Sequence, residues 1–156
     1  MSFWLEQAVQ FAVAMLATIC FGLTFNVDKR HFVACGLTGA VGWLVYCIGN
    51  GPLGLSAPAA TLLAALPLTA AARLFSIRHR APVTVFLLCG IFPLVPGAGI
   101  YYTAYYFLRG DNNLCAIHGF ETLKVAVALA LGIAMVCSVF LVNSKKDVKN
   151  AKVEKA

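Results

Sequence analysis

The chain has 156 residues, of which 61% are hydrophobic and 12% are charged, and its formal net charge is +6. A soluble domain is about half apolar and about a quarter charged. Twelve basic and six acidic side chains are too few to cover the surface of a water-soluble domain of this length, so the composition excludes one. The length corresponds to a single domain, and the composition predicts that its solvent is lipid.

Runs without charge predict where the chain crosses the membrane. Residues 7–27, 32–72, 81–108 and 125–144 contain no Asp, Glu, Lys or Arg. A hydrocarbon core of about 30 Å needs about 20 residues of helix. The second run holds two helices, because Asn50, Gly51 and Pro52 form a turn signal near its middle. We therefore predict an all-α integral membrane protein with five transmembrane helices, at 5–25, 32–49, 56–73, 82–108 and 122–143.

The basic residues predict the orientation of these helices. Ten of them fall in the first linker, the linker after the third helix and the tail, whereas the other side carries only Arg109 and Lys124. The ten are Lys29, Arg30, Arg73, Arg78, Arg80, Lys145, Lys146, Lys149, Lys152 and Lys155. Because positive loops stay cytoplasmic, the N-terminus is predicted outside and the C-terminus inside. Residues 1–144 form the predicted membrane domain, and residues 145–156 a basic cytoplasmic tail that we expect to be solvated and partly disordered.

The fourth predicted helix contains two internal prolines. Pro93 and Pro96 each remove a backbone donor and clash with the preceding turn, and Gly97 and Gly99 loosen the chain further. We predict a discontinuity from Pro93 to Gly97, near the centre of the bilayer. Freed backbone groups at that depth must be buried in protein or line a watery cavity. A half-helix beginning near Gly97 would direct free N–H groups at a carboxylate, and a kink satisfied by neighbouring helices is the alternative.

The candidate substrate-binding residues surround this break and extend to the cytoplasmic end of the first helix. They are Pro93, Pro96, Gly97, Ala98, Gly99, Tyr101, Tyr102 and Asn26. One or two tyrosine hydroxyls are expected to line the path, with the other tyrosines at the outer interface. Asn26 is a candidate gate, and its alternative role is to cap the first helix.

Catalytic and metal sites lack support in the sequence. No Ser/His/acid set is apparent, so an intramembrane enzyme is the least favoured alternative and neither a cofactor nor a metal site is predicted. Cys115, expected alone in the outer loop, and His118 are two isolated ligand types without a nearby cluster. His31 and His79 are expected to be solvated on cytoplasmic linkers.

Small residues at four-residue spacing predict close helix contacts. They are Gly36, Gly39 and Ala40 on the second helix, Ala60 and Ala64 on the third, and Ala126, Ala130, Ala134 and Ser138 on the fifth. Such positions let helix backbones approach in lipid, either within this chain or against a second subunit. Glu121 and Lys124 share one helix face and are predicted to form a surface ion pair rather than a site.

Three segments resemble a known family. They are RAPVTV at 80–85, FPLVPG at 92–97 followed by Tyr101, and GLTFNV at 22–27 followed by Arg30. Together they resemble the small split subunit of the threonine/serine exporter (ThrE) family, and the likeness covers nearly the whole chain.

The resemblance implies a secondary transporter that exports small carboxylate-bearing solutes. These are threonine and serine, or a dicarboxylate such as succinate. It also implies a larger ThrE-type partner subunit with a cytoplasmic region, a place in the bacterial cytoplasmic membrane and coupling to the proton gradient. The charged groups leave no carboxylate at mid-depth, so the coupling acid is expected on the partner. A second copy of this chain is another candidate partner, nucleic acid is not, and a non-transporting assembly subunit is the alternative function.

Overall fold

The computed structural model describes residues 3–153 of the chain, with side chains described from 4 to 140. The helices are α1 (Phe3–Thr24), α2 (Phe32–Asn50), α3 (Ala57–His79), α4 (Val83–Ile91), α5 (Gly97–Arg109) and α6 (Asn112–Val153). Short 3-10 turns at Lys29–His31 and Phe92–Leu94 precede α2 and follow α4, and the described residues contain no strand. The all-α prediction is confirmed.

Within residues 3–153, the helices suited to span a membrane number five when α4 and α5 count as one bent span. Four helices are long and apolar enough to cross alone, and α4 with its 3-10 turn meets α5 at 57°. Helix α6 runs parallel to α3, because Gly132 packs on Ala65 and the Arg73 guanidinium lies 5.8 Å from the Phe140 ring centre. Helix α6 therefore begins at the end of the bundle opposite the basic linkers, and the α4–α5 pair must connect the two ends.

Small residues bring α1, α2 and α3 together as predicted. Gly39 of α2 faces Thr18 of α1 so closely that an added Cβ would collide with the threonine hydroxyl. Gly36, Ala40, Ala60 and Ala64 are also buried. Close approach of this kind replaces the missing hydrophobic driving force between helices in lipid.

The small-residue stripe on α6 does not pack within the chain. Its members Ala126, Ala130, Ala134 and Ser138 are exposed. Helix α6 instead packs on α3 through its buried residues Leu129 and Gly132. Because Gly132 has no side chain, the backbone of Leu62 can lie close to it. Intrachain contact is thus wrong for this stripe, and contact with a second subunit stays a prediction.

The basic end of the bundle buries one histidine. His31 is only 9% exposed, and its ring meets those of His79 and Phe86 edge-on at 5.2 and 5.4 Å. The Asp28 carboxylate accepts the Arg30 N–H and caps the 3-10 turn, and His31 is the last residue of this turn. The prediction that both histidines are solvated is wrong for His31, whereas His79 is exposed.

Helix α6 begins ten residues before the predicted fifth span. The Asp111 carboxylate accepts the Leu114 N–H, which satisfies one free donor of the first turn. Cys115 consequently lies in the first turns of α6 and not in a loop, which corrects the prediction. The helix backbone continues to Val153, through most of the segment expected to be partly disordered. The division at residue 144 stays a prediction.

Candidate functional site

The predicted discontinuity is present between α4 and α5. Helix α4 ends at Ile91, the 3-10 turn contains Pro93, and the backbone at Val95 is extended before α5 begins at Gly97. Pro96 has no N–H, and the Gly97 N–H donates to the Val95 carbonyl at 2.7 Å instead of continuing a helix.

A cavity of about 350 Å³ adjoins the break. This volume lies in the range of small-molecule sites, which begins at about 300 Å³. Its lining residues come from α2, α3, the break, α5 and α6. They are Trp43, Tyr46, Ala57, Thr61, Pro93, Leu94, Val95, Pro96, Gly97, Ala98, Gly99, His118, Glu121, Thr122 and Val125. Pro93, Pro96, Gly97, Ala98 and Gly99 are thus brought together at one cavity.

The cavity lies in the half of the bundle away from the basic linkers. Trp43 and Tyr46 belong to the last turns of α2, and Ala57 and Thr61 to the first turns of α3. On the opposite side of the break, Phe92 stacks on Phe21 at 4.2 Å and lies 5.3 Å from Phe25. None of these three rings is a lining residue of the cavity.

The first turn of α5 supplies polar backbone to the cavity. The first N–H groups of a helix have no intrahelical acceptor, and the helix dipole makes this end electropositive. Ala98 and Gly99 both lie in the lining. An added Cβ at Gly99 would collide with the Thr122 hydroxyl, so this glycine lets α5 approach α6 closely. An added Cβ at Gly97 meets nothing within 4 Å.

The two predicted tyrosines lie outside the lining. Tyr101 is 63% exposed. Tyr102 stacks on His118 at 5.4 Å, and Tyr106 stacks on the same imidazole at 5.3 Å. Tyr102 therefore reaches the cavity only through His118, which is a lining residue.

Asn26 lies at the basic end of α1 and is not a lining residue. Its φ is 53°, a left-handed conformation that Asn adopts more readily than most residues. The Asn26 N–H donates to Leu23, and the Val27 N–H donates to Gly22. This is a Schellman ending of a helix, so the geometry corresponds to the capping role.

Glu121 is the lining residue whose position the sequence did not indicate. The ion pair with Lys124 is present, and the two side chains are 58% and 57% exposed respectively. Recognising the i, i+3 pair was possible from sequence, but its place beside the break depends on how α6 packs. Trp43 and Tyr46 lie three residues apart on α2 and therefore share one face of this helix. This spacing is the sequence feature that could have indicated the α2 side of the cavity.

No cluster of three or more metal-ligating side chains occurs among the described residues. The His118 ring instead contacts the rings of Tyr102 and Tyr106, and Cys115 lines a separate apolar hollow between α5 and α6.

Comparison with known proteins identifies a family. The family model described as "Threonine/Serine exporter, ThrE" matches residues 10–139. A protein of Mycobacterium tuberculosis (strain ATCC 25618 / H37Rv) named "Probable threonine/serine exporter" is 32% identical over 131 residues, which are 83% of this chain and 24% of that protein. The chain therefore spans about a quarter of the length of this relative. No solved structure gives a significant match.

The matched region contains α2 to α5 completely, together with the break and every lining residue of the cavity. The match is consistent with the bundle of apolar helices, which makes this a multi-pass membrane protein. The chain belongs to the threonine/serine exporter (ThrE) family, a family of transporters.

Proposed function

We propose that this chain is a membrane subunit of a secondary transporter that exports small carboxylate-bearing solutes from the bacterial cytoplasm. Threonine and serine, or a dicarboxylate such as succinate, are the candidate solutes. The cavity beside the broken fourth span carries this proposal, because it joins a partly open volume to the N-terminal turn of α5. A carboxylate there would meet free N–H groups and the positive end of the helix dipole.

The stacked rings of Phe21, Phe25 and Phe92 act as the inner gate in this proposal. The cavity lies in the half of the bundle away from the basic linkers, so with those linkers in the cytoplasm the described conformation would be outward-facing. Export requires the alternative state, in which the rings separate and the break opens toward the basic end.

A larger partner subunit completes the transporter in this proposal. The matched relative is about four times as long as the aligned region, which leaves most of its length without a counterpart here. The exposed small-residue stripe on α6 is suited to close contact with another transmembrane helix.

The test is uptake and efflux of labelled threonine, serine and succinate in cells that carry this chain, its larger neighbour subunit, or both. We expect movement only with both chains, and the compound that moves identifies the substrate class. Transport by this chain alone would favour a homo-oligomer. If none of the three compounds moves, the proposed substrate class is wrong. If variants of residues 93–99 lower the partner's abundance along with transport, the chain is an assembly subunit.

A further inference from the structure

The cavity is electrically asymmetric. Glu121 is the only acidic residue among the described lining residues. The next residue along α6, Thr122, packs directly against Gly99 in the first turn of α5. The Glu121 carboxylate and the break therefore border the same cavity. Glu121 is one residue away from the contact between α5 and α6.

We propose that Glu121 binds the ammonium group of the solute and thereby selects zwitterionic amino acids over dicarboxylates. This inference rests on the proposed transport function and names the residue that sets its specificity. A dicarboxylate would bring a second negative charge toward Glu121, and like charges in a partly enclosed site repel each other. An α-amino acid instead offers a cation to this carboxylate.

The ion pair with Lys124 leaves Glu121 able to bind a ligand. The Lys124 Nζ donates to the Oε1 atom, and no hydrogen bond to Oε2 occurs among residues 4–140. Lys124 itself lines a neighbouring apolar hollow and not this cavity. An ion pair this exposed is weak, so a substrate ammonium can share or replace it.

The surrounding side chains suit a small amphipathic solute. Trp43, Tyr46 and Val125 provide apolar and aromatic walls, while the Thr61 and Thr122 hydroxyls donate to carbonyls of their own helices. The Glu121 carboxylate and the backbone groups at the break therefore act beside two further polar lining side chains, the His118 imidazole and the Tyr46 hydroxyl.

Trp43 provides a direct readout of binding, because the chain has only one other tryptophan, Trp4. In a Trp4→Phe chain in lipid nanodiscs, Trp43 fluorescence is titrated with threonine and with 3-hydroxybutyrate, which lacks only the amino group. We expect Glu121→Gln to weaken threonine binding about two- to fivefold, because the contribution of a carboxylate this exposed is modest. Binding of 3-hydroxybutyrate should stay unchanged or improve.

Lys124→Gln is the matched control, because it breaks the same ion pair but keeps the carboxylate. We expect it to retain threonine binding, and Glu121→Asp to restore part of it. Equal losses in Glu121→Gln and Lys124→Gln would assign the pair a structural role and overturn the inference. Unchanged threonine binding in Glu121→Gln would also overturn the inference. It would be overturned as well if equilibrium dialysis detected no threonine binding, either by the chain alone or by the chain together with its larger subunit.

Failure of the proposed function gives a different result. Selective threonine binding without transport in paired cells would overturn the transport proposal and leave the role of Glu121 intact. Transport of threonine by Glu121→Gln with unaltered selectivity would overturn the role of Glu121 and leave the transport proposal intact.

Discussion

Two glycines at the start of α5 differ in their surroundings although they are two residues apart. Gly99 lies against Thr122, where any added side chain forces α5 and α6 apart. Gly97 lines the cavity but faces open space. A substitution at position 97 therefore changes the cavity, whereas a substitution at position 99 changes the packing of two helices.

This contrast gives a prediction for transport. Gly97→Leu should reduce threonine transport at least about tenfold while protein abundance stays normal, because leucine fills space that the solute needs. Ala104→Leu is the control, since Ala104 is exposed on the same helix and lies outside the cavity. Transport assays with immunoblotting of both subunits measure the two quantities. Full activity in Gly97→Leu would contradict a solute site at the break.

Asp28 gives a prediction for pH dependence. Its carboxylate accepts hydrogen bonds from the Arg30 side chain and backbone, which lower the Asp28 pKa below the usual 3.8. A lowered native pKa means that the stabilisation is complete above the unfolded pKa and is lost as the pH falls through the native pKa. Asp28→Ala should therefore melt at a slightly lower temperature than the parent at neutral pH. The difference should shrink as the pH falls through the lowered native pKa of Asp28, and a difference that stays constant over that range would contradict this assignment.

At the scale of helix pairs, the contact between α1 and α2 depends on an absent side chain. Thr18 is fully buried and donates to the Ala14 carbonyl, and Gly39 lies directly against its hydroxyl. Gly39→Ala should destabilise the bundle by about 1–3 kcal/mol, the usual cost of overpacking. Thr18→Ala should recover part of this loss in the double variant, because it removes the two closest atoms. Thermal unfolding in detergent measures both effects, and additive losses would show that the two residues do not interact.

The aromatic contact between α1 and the break gives a prediction for gating. Phe92→Ala removes the ring that Phe21 and Phe25 contact. In an otherwise cysteine-free chain, a thiol introduced into the cavity lining as Ala98→Cys should become reactive toward an impermeant maleimide added from the basic side. Phe107→Ala is the control, because that ring is 70% exposed on α5. Labelling that remains unchanged in Phe92→Ala would exclude a gate at these rings.

At the scale of the whole molecule, the parallel course of α3 and α6 fixes which loops share an end. The linkers at Lys29 and Arg80 lie at one end, and the α5–α6 turn lies at the other. In a cysteine-free background, Asn113→Cys should react with an impermeant maleimide added outside intact cells, whereas Lys29→Cys should react only after permeabilisation. The opposite pattern would reverse the predicted orientation.

The sequence determined much of this protein by itself. The lipid environment, the five spans and the break follow from charge-free runs and from Pro93 and Pro96, because hydrophobic length and missing backbone donors act locally. The same locality explains why Gly97, Ala98 and Gly99 lie together in the cavity lining, whereas their role in substrate binding stays a prediction.

Other features were decided only by tertiary structure. Whether Ala126 or Gly132 faces α3, whether His31 is buried, and whether Glu121 borders the break all depend on the rotation and register of packed helices. In a helix that is apolar on every side, no periodic contrast marks the packed face. The sequence therefore specified where this chain bends, and the packing of α6 decided which side chains meet at the bend.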